Sequence, residues 1–127
     1  MTLSMAPILF QTTDWNSIPV TKHAGETGTA QWKTIEYGTL RIRVVEYSEN
    51  YKADHWCTVG HILYCLDGEM TTELSDGRVY HLSKGMSYQV SDGVSVHRSY
   101  SEKGVRALII DGGFLKTQKT NHNPWKM

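Results

Sequence analysis

Leu40, Ile42 and Val44 share one parity while Arg41 and Arg43 take the other, a period-two alternation that predicts a strand with unlike faces. Further along, His61, Leu63 and Cys65 oppose Ile62, Tyr64 and Leu66. That strand is apolar on both sides, which predicts a central place in a sheet. Segments 70–74, 78–82, 87–90, 94–100 and 105–111 continue the series. Glycine-bearing pairs punctuate it: Tyr37-Gly38, Asp67-Gly68, Asp76-Gly77, Lys84-Gly85, Asp92-Gly93 and Asp111-Gly112-Gly113. Glycine accepts a positive φ and aspartate tolerates one, so these pairs predict turns. Between residues 67 and 93 they recur about every nine residues, the spacing of short strands in a sandwich or barrel. Residues 1–28 are mixed and turn-rich, with Trp15, Ile18 and Val20 expected in a short pairing segment or a 3₁₀ turn.

Composition agrees with the pattern. Thirteen threonines, nine valines, seven isoleucines and seven tyrosines stand beside five alanines, a bias toward pleated surface over helix. The 127 residues suit one domain, with a core over about 38–111 and peripheral segments at 1–28 and 116–127. Thirteen basic residues balance thirteen acidic ones with no long basic run, which argues against a nucleic-acid or membrane-surface role. The first apolar run, residues 5–10, is broken by Pro7, too short for a signal peptide and far below the ~20 residues of a membrane span. Two cysteines are too few for a disulfide scaffold, so the expectation is a cytoplasmic protein with reduced thiols.

The chemistry concentrates between residues 54 and 97. Asp54-His55-Trp56-Cys57 is followed by His61, and His97 comes from a later strand. On a strand, His55 and Cys57 lie on one face about 6.6 Å apart, within reach of one metal ion. A straight strand would carry His61 about 20 Å away, so the site requires the chain to fold back near Val59-Gly60. His97 joins only through tertiary closure. His23, His81 and His122 read as surface or packing residues, Cys65 as core, and Trp56 and Tyr64 as packing. Asp54 is placed to orient His55. Neither a Walker loop, a dinucleotide Gly-rich loop nor a nucleophile elbow is present. The C-x₇-C spacing is not a redox pair, and a Cys57–His55 nucleophile lacks an evident oxyanion donor.

These residues resemble the cupin family. The stretch His61-Ile62-Leu63-Tyr64-Cys65-Leu66-Asp67-Gly68-Glu69 is similar to the end of the first cupin motif, with His61 where that motif has glutamate and His55 and Cys57 on its His-x-His pair. The second motif resembles Gly85-Met86-Ser87-Tyr88-Gln89-Val90-Ser91-Asp92-Gly93 followed by His97, with Ser91 in place of the usual proline and one extra residue before the histidine. Asp54-His55-Trp56-Cys57 also looks like the signature of a small bacterial cupin group named for a DHCW motif, with the last two residues exchanged.

The resemblance implies an all-β jelly-roll barrel with an interior metal held by His55, Cys57, His61 and His97. Three imidazoles and a thiolate suit zinc, with iron, nickel or copper as alternatives. A closed four-ligand set implies a structural metal, whereas three histidines with Cys57 aside would leave positions for catalysis. The expected function is a metal-dependent enzyme of oxygenase or isomerase type acting on a small polar molecule. The alternative is a non-catalytic binding or sensor barrel, with a structural metal or none. Arg43 and Tyr88 are the pocket residues expected against an anionic ligand. A homodimer is expected, paired through sheet edges, with the Trp125 tail crossing as an arm or folding back.

Overall fold

The structure is a computed structural model that describes residues 6–117. The expectations for His122 and the Trp125 arm lie outside those residues. Among them, nine strands follow a short 3₁₀ turn at Trp15–Ser17, the turn expected around Trp15. They are β1 (Thr21–Ala24), β2 (Thr29–Tyr37), β3 (Leu40–Tyr47), β4 (Tyr51–Lys52), β5 (His61–Leu74), β6 (Val79–Ser83), β7 (Ser87–Val90), β8 (His97–Ser101) and β9 (Val105–Asp111). All pairings are antiparallel, in the order β1-β2-β3-β9-β5-β8-β4, with β6 and β7 also pairing to β5. The result is a curled all-β barrel, as the alternation implied.

Two elements differ from the sequence expectation. β2 carries Gln31, Lys33, Thr34 and Glu36 and gives a weak hydrophobic signal, yet it pairs with β3 over its whole length. Asp67-Gly68 is not a hairpin turn. The chain runs through it as one 14-residue strand, with an irregularity between Cys65 and Asp67 where the pairing to β9 steps past Leu66. Gly68 has φ +83°, and a side chain there would collide with the Gly104 carbonyl. This bulge lets β5 leave the sheet of β7 and β9 and enter that of β6 and β8. Asp76-Gly77 does turn, between β5 and β6, with the Gly77 amide donating to the Leu74 carbonyl at 3.0 Å.

The interior is set by three neighbouring strands. β3 contributes Arg43 and Val45, β5 His61, Leu63 and Cys65, and β9 Val105, Ala107, Ile109 and Asp111, all buried. Val45, Leu63, Cys65, Val105, Ala107 and Ile109 pack with Met70 and Leu82 into one core cluster. The apolar parity of β3 therefore points outward. Ile42 joins Ile35, Leu108 and Ile110 on an outer face against which the segment around Ile8 and Trp15 lies. Its charged parity points in. Among the described residues, no helix is long and apolar enough to cross a membrane.

Candidate metal centre

The loop 53–60 replaces the strand expected around His55. Its one ladder contact is at Cys57, whose amide donates to the His97 carbonyl at 2.7 Å and whose carbonyl accepts from the His97 amide at 3.0 Å. That double bond fixes Cys57 beside the first residue of β8. The chain then returns at Gly60, whose amide donates to Asp92 Oδ1 at 2.6 Å. A side chain at Gly60 would collide with the backbone around Val90 and Asp92, so close approach is what the fold-back demands of this glycine. Directly after it, β5 opens with His61 facing inward.

Cys57, His61 and His97 meet here, their ligand atoms all within 4.8 Å of one another. The Sγ of Cys57 lies 3.7 Å from His61 Nε2. His61 Nδ1 lies 3.0 Å from Asp111 Oδ2, and His97 Nδ1 lies 3.0 Å from the Ser95 carbonyl oxygen. A carboxylate and a carbonyl only accept hydrogen bonds, so each Nδ1 carries the hydrogen. Each Nε2 is left with its lone pair for the centre, and the acceptor on each Nδ1 fixes the orientation of its ring. His97 Nε2 is buried and has no hydrogen-bond partner. Two imidazole lone pairs and a sulfur thus converge on one point.

A proton satisfies that convergence only in part. The imidazoles of His61 and then His97 beside the sulfur outweigh burial and bring the Cys57 thiol down to about 5. Burial works to lower the His61 value, but Asp111 and Cys57 outweigh it and raise it above 6.5. The two groups thus lean toward sharing a proton, while His97 Nε2 stays without a hydrogen-bond partner. The donor set fits a divalent transition metal.

Asp111 anchors the polar end. It accepts from Arg41 Nε at 2.9 Å, from Arg43 at 2.9 Å and from His61. Burial opposes its ionisation, but His61, Arg41 and Arg43 hold the carboxyl well below the usual range. Arg43 has a side chain 5% exposed and stacks over Trp32, its guanidinium carbon 4.4 Å from the ring centre. A cavity of about 230 Å³ opens between Trp32, Arg41 and Arg43 on one side and Cys57, His61 and His97 on the other.

Of the site residues expected from sequence, the structure brings Cys57, His61 and His97 together and leaves His55 out of the group. The His55 side chain is 71% exposed, and its Nδ1 is held by Asp54 Oδ1 at 2.7 Å. Asp54 thus touches it as expected, but His55 sits at the outer edge of the cavity. Arg43 and Tyr88 both line the cavity, Tyr88 with its ring edge toward His97 at 5.9 Å between centroids. Asp111 and Trp32 were not singled out by sequence reasoning. Asp111 shares the inward parity of Val105, Ala107 and Ile109, a signal that could have found it. His81 meets Thr71 at 2.8 Å and stays outside the site.

No protein-family model matches the chain, and no curated protein sequence does either. Solved structures match well in shape. An RmlC-like cupin from Shewanella frigidimarina superposes with TM-score 0.65 at 14% identity, over 82% of this chain and 91% of that one. The polyketide cyclase RemF from Streptomyces resistomycificus gives TM-score 0.66 at 17% identity, over 82% and 80%. Fe(II)-HppE with an alternative substrate gives 0.65 at 13%, over 82% of this chain and 60% of that one. These likenesses show the fold: the chain has the barrel architecture of an RmlC-like cupin.

Proposed function

We propose that this cupin barrel holds one divalent transition metal on Cys57, His61 and His97 and uses its open coordination position on a small polar molecule. The convergence of two Nε2 lone pairs and the Cys57 sulfur, each imidazole oriented by an acceptor on its Nδ1, carries the reading. Three protein ligands leave one position of a tetrahedral site free, the mark of a catalytic rather than a structural centre. The thiolate and two imidazoles favour zinc, and iron is the next candidate, supported by the likeness to Fe(II)-HppE. Such a metal would supply Lewis-acid polarisation of an oxygen on the bound molecule. The chain's own part is to hold His61 through Asp111, position His97 through Ser95, and exclude water with the Trp32–Arg43 wall.

The line Asp111–His61–Cys57 also has the order of a nucleophilic thiol relay. That reading leaves the buried His97 Nε2 without a purpose, whereas a metal uses all three groups. Elemental analysis of protein purified without an affinity tag is the test. Cys57→Ala, His61→Ala and His97→Ala should each lose the metal, while His55→Ala keeps it. Full retention in any of the first three would overturn the shared site. For the catalytic reading, the loaded protein should show exchangeable water on the metal, and a saturated first shell would count against it.

A further inference from the structure

Four buried side-chain nitrogens without a hydrogen-bond partner stand out among the described residues: Trp32 Nε1, Arg43 Nε, His97 Nε2 and Arg98 Nε. All four belong to residues that line the same cavity. The metal reading absorbs His97 alone. The other three are N–H donors, so the wall facing the metal-ligating group is rich in unanswered positive dipoles.

Charge points the same way. Arg41 and Arg43 share the single carboxylate of Asp111, which leaves that wall one positive charge in excess. Arg98 is balanced from outside by Glu73 at 3.3 Å and Glu26 at 3.6 Å. Tyr47 and Tyr88 remain neutral phenols, because burial raises both. Arg43 is a desolvated cation, and burial with the neighbouring Arg41 makes its charge costly to hold. An anion beside it relieves that cost.

We infer that the cavity takes a small monocarboxylate, seated against the Arg43–Arg41 wall on the far side from Cys57, His61 and His97. The inference rests on the proposed use of this cavity for a small molecule and names its chemical class. One excess positive charge on the wall of Arg41, Arg43 and Asp111 matches one negative charge. The volume of about 230 Å³ falls below the ~300 Å³ at which drug-sized pockets begin, which restricts the ligand to a few carbons. Stacking on Trp32 and the bond to Asp111 hold the Arg43 guanidinium in place before the anion arrives, so little ordering cost is left for binding.

Isothermal titration of wild-type protein, stripped of metal with EDTA and checked by elemental analysis, tests this with sodium acetate against its neutral isostere acetamide at equal ionic strength. Acetate should bind at least about tenfold more tightly, the value of one charge-assisted hydrogen bond. Arg43→Gln should erase the difference. Arg41→Gln, at a residue one-third exposed, should shrink it in a chain that keeps its fold, even where the Arg43 variant does not fold. Equal affinity of the wild type for acetate and acetamide would overturn the inference, as would phosphate displacing acetate at a lower concentration than acetate needs. Repeating the titration with Zn²⁺-loaded protein should tighten acetate further. Failure of the wild type to take up Zn²⁺ would sink the metal reading alone and leave the acetate result standing.

Discussion

The two ends of the barrel interior are built from the same three strands and have opposite chemistry. On β3 the inward row passes from Arg41 and Arg43 to Val45, on β5 from His61 through Leu63 to Cys65, and on β9 from Asp111 through Ile109 to Ala107. The registers line these rows up: Arg41 opposite Asp111, Val45 opposite Ala107, and Ala107 opposite Cys65. One end is an ion network with a cavity, the other a close-packed core. The two cysteines record the difference. Cys57, among imidazoles, has its thiol brought down to about 5, whereas burial pushes the Cys65 thiol up. Strand alternation thus decides which residues point inward, and position along the strand decides what kind of interior they meet.

The sharpest way to break this contrast is at Asp111. Asp111→Ala strips the counter-charge from buried Arg43, and urea unfolding should show a loss of about 3–5 kcal/mol. The double change Asp111→Leu with Arg43→Met should cost much less, since it removes both charges together. A loss under about 1 kcal/mol in the single variant would mean the ion network is not sealed from water.

At the apolar end, Met70→Ala should cost about 2–5 kcal/mol through the cavity it leaves. Metal content and Cys57 reactivity should stay at wild-type levels. A drop in either would show that the two ends are mechanically coupled.

The thiols offer a finer test. In metal-free protein at neutral pH, iodoacetamide should modify Cys57 and spare Cys65, with the Cys57 rate falling as pH drops through about 5. Stability follows with a definite sign. The folded thiol titrates near 5 against an ordinary 9.0, so the folded state binds fewer protons across that window. The stabilisation from this group is complete above the window and gone below it. His61 runs the other way: its share is complete below 6.5 and fades as pH climbs through its raised value. Comparing pH–stability curves of wild type and Cys57→Ser isolates the first slope, and identical curves would refute it.

The smallest effect comes from outside the barrel. Arg78 and Asp76 approach to 2.7 Å, closer than Arg43 and Asp111 at 2.9 Å, but both side chains are more than half exposed. Arg78→Ala should cost less stability than any of the changes above. A larger loss would overturn burial as the quantity that separates the two pairs.

Much of this was legible in the chain. Alternation placed His61, Leu63 and Cys65 on one face, and residue chemistry singled out Cys57, His61, His97, Arg43 and Tyr88 for the interior. Other features were hidden for physical reasons. β2 reads as polar because Gln31, Lys33, Thr34 and Glu36 interrupt its apolar positions, although Ala30 is buried and Trp32 packs against the core. His55 shares parity with Cys57 only along an extended chain, and the loop 53–60 is not extended; its single bridge holds Cys57 and releases His55 to Asp54. Asp111 reads as the first residue of an Asp-Gly-Gly turn. Its burial depends on Arg41 and Arg43, seventy and sixty-eight residues away in sequence, a coincidence visible only once β3 and β9 pair.

The bulge at Leu66 has a consequence for how this chain can change. Odd-numbered positions point inward before it, at His61, Leu63 and Cys65, yet Met70 beyond it joins the same core. Leu66 acts as a frame-shifting character in a two-letter code, and both halves of β5 read correctly because it bulges out of the alternation. Forcing it flat into the alternation, with no residue removed, would turn either His61 or Met70 out to solvent. Single insertions or deletions elsewhere in this strand should therefore be disruptive, whereas removing Leu66 itself, or a compensated pair that keeps the frame, leaves His61 and Met70 on the same side.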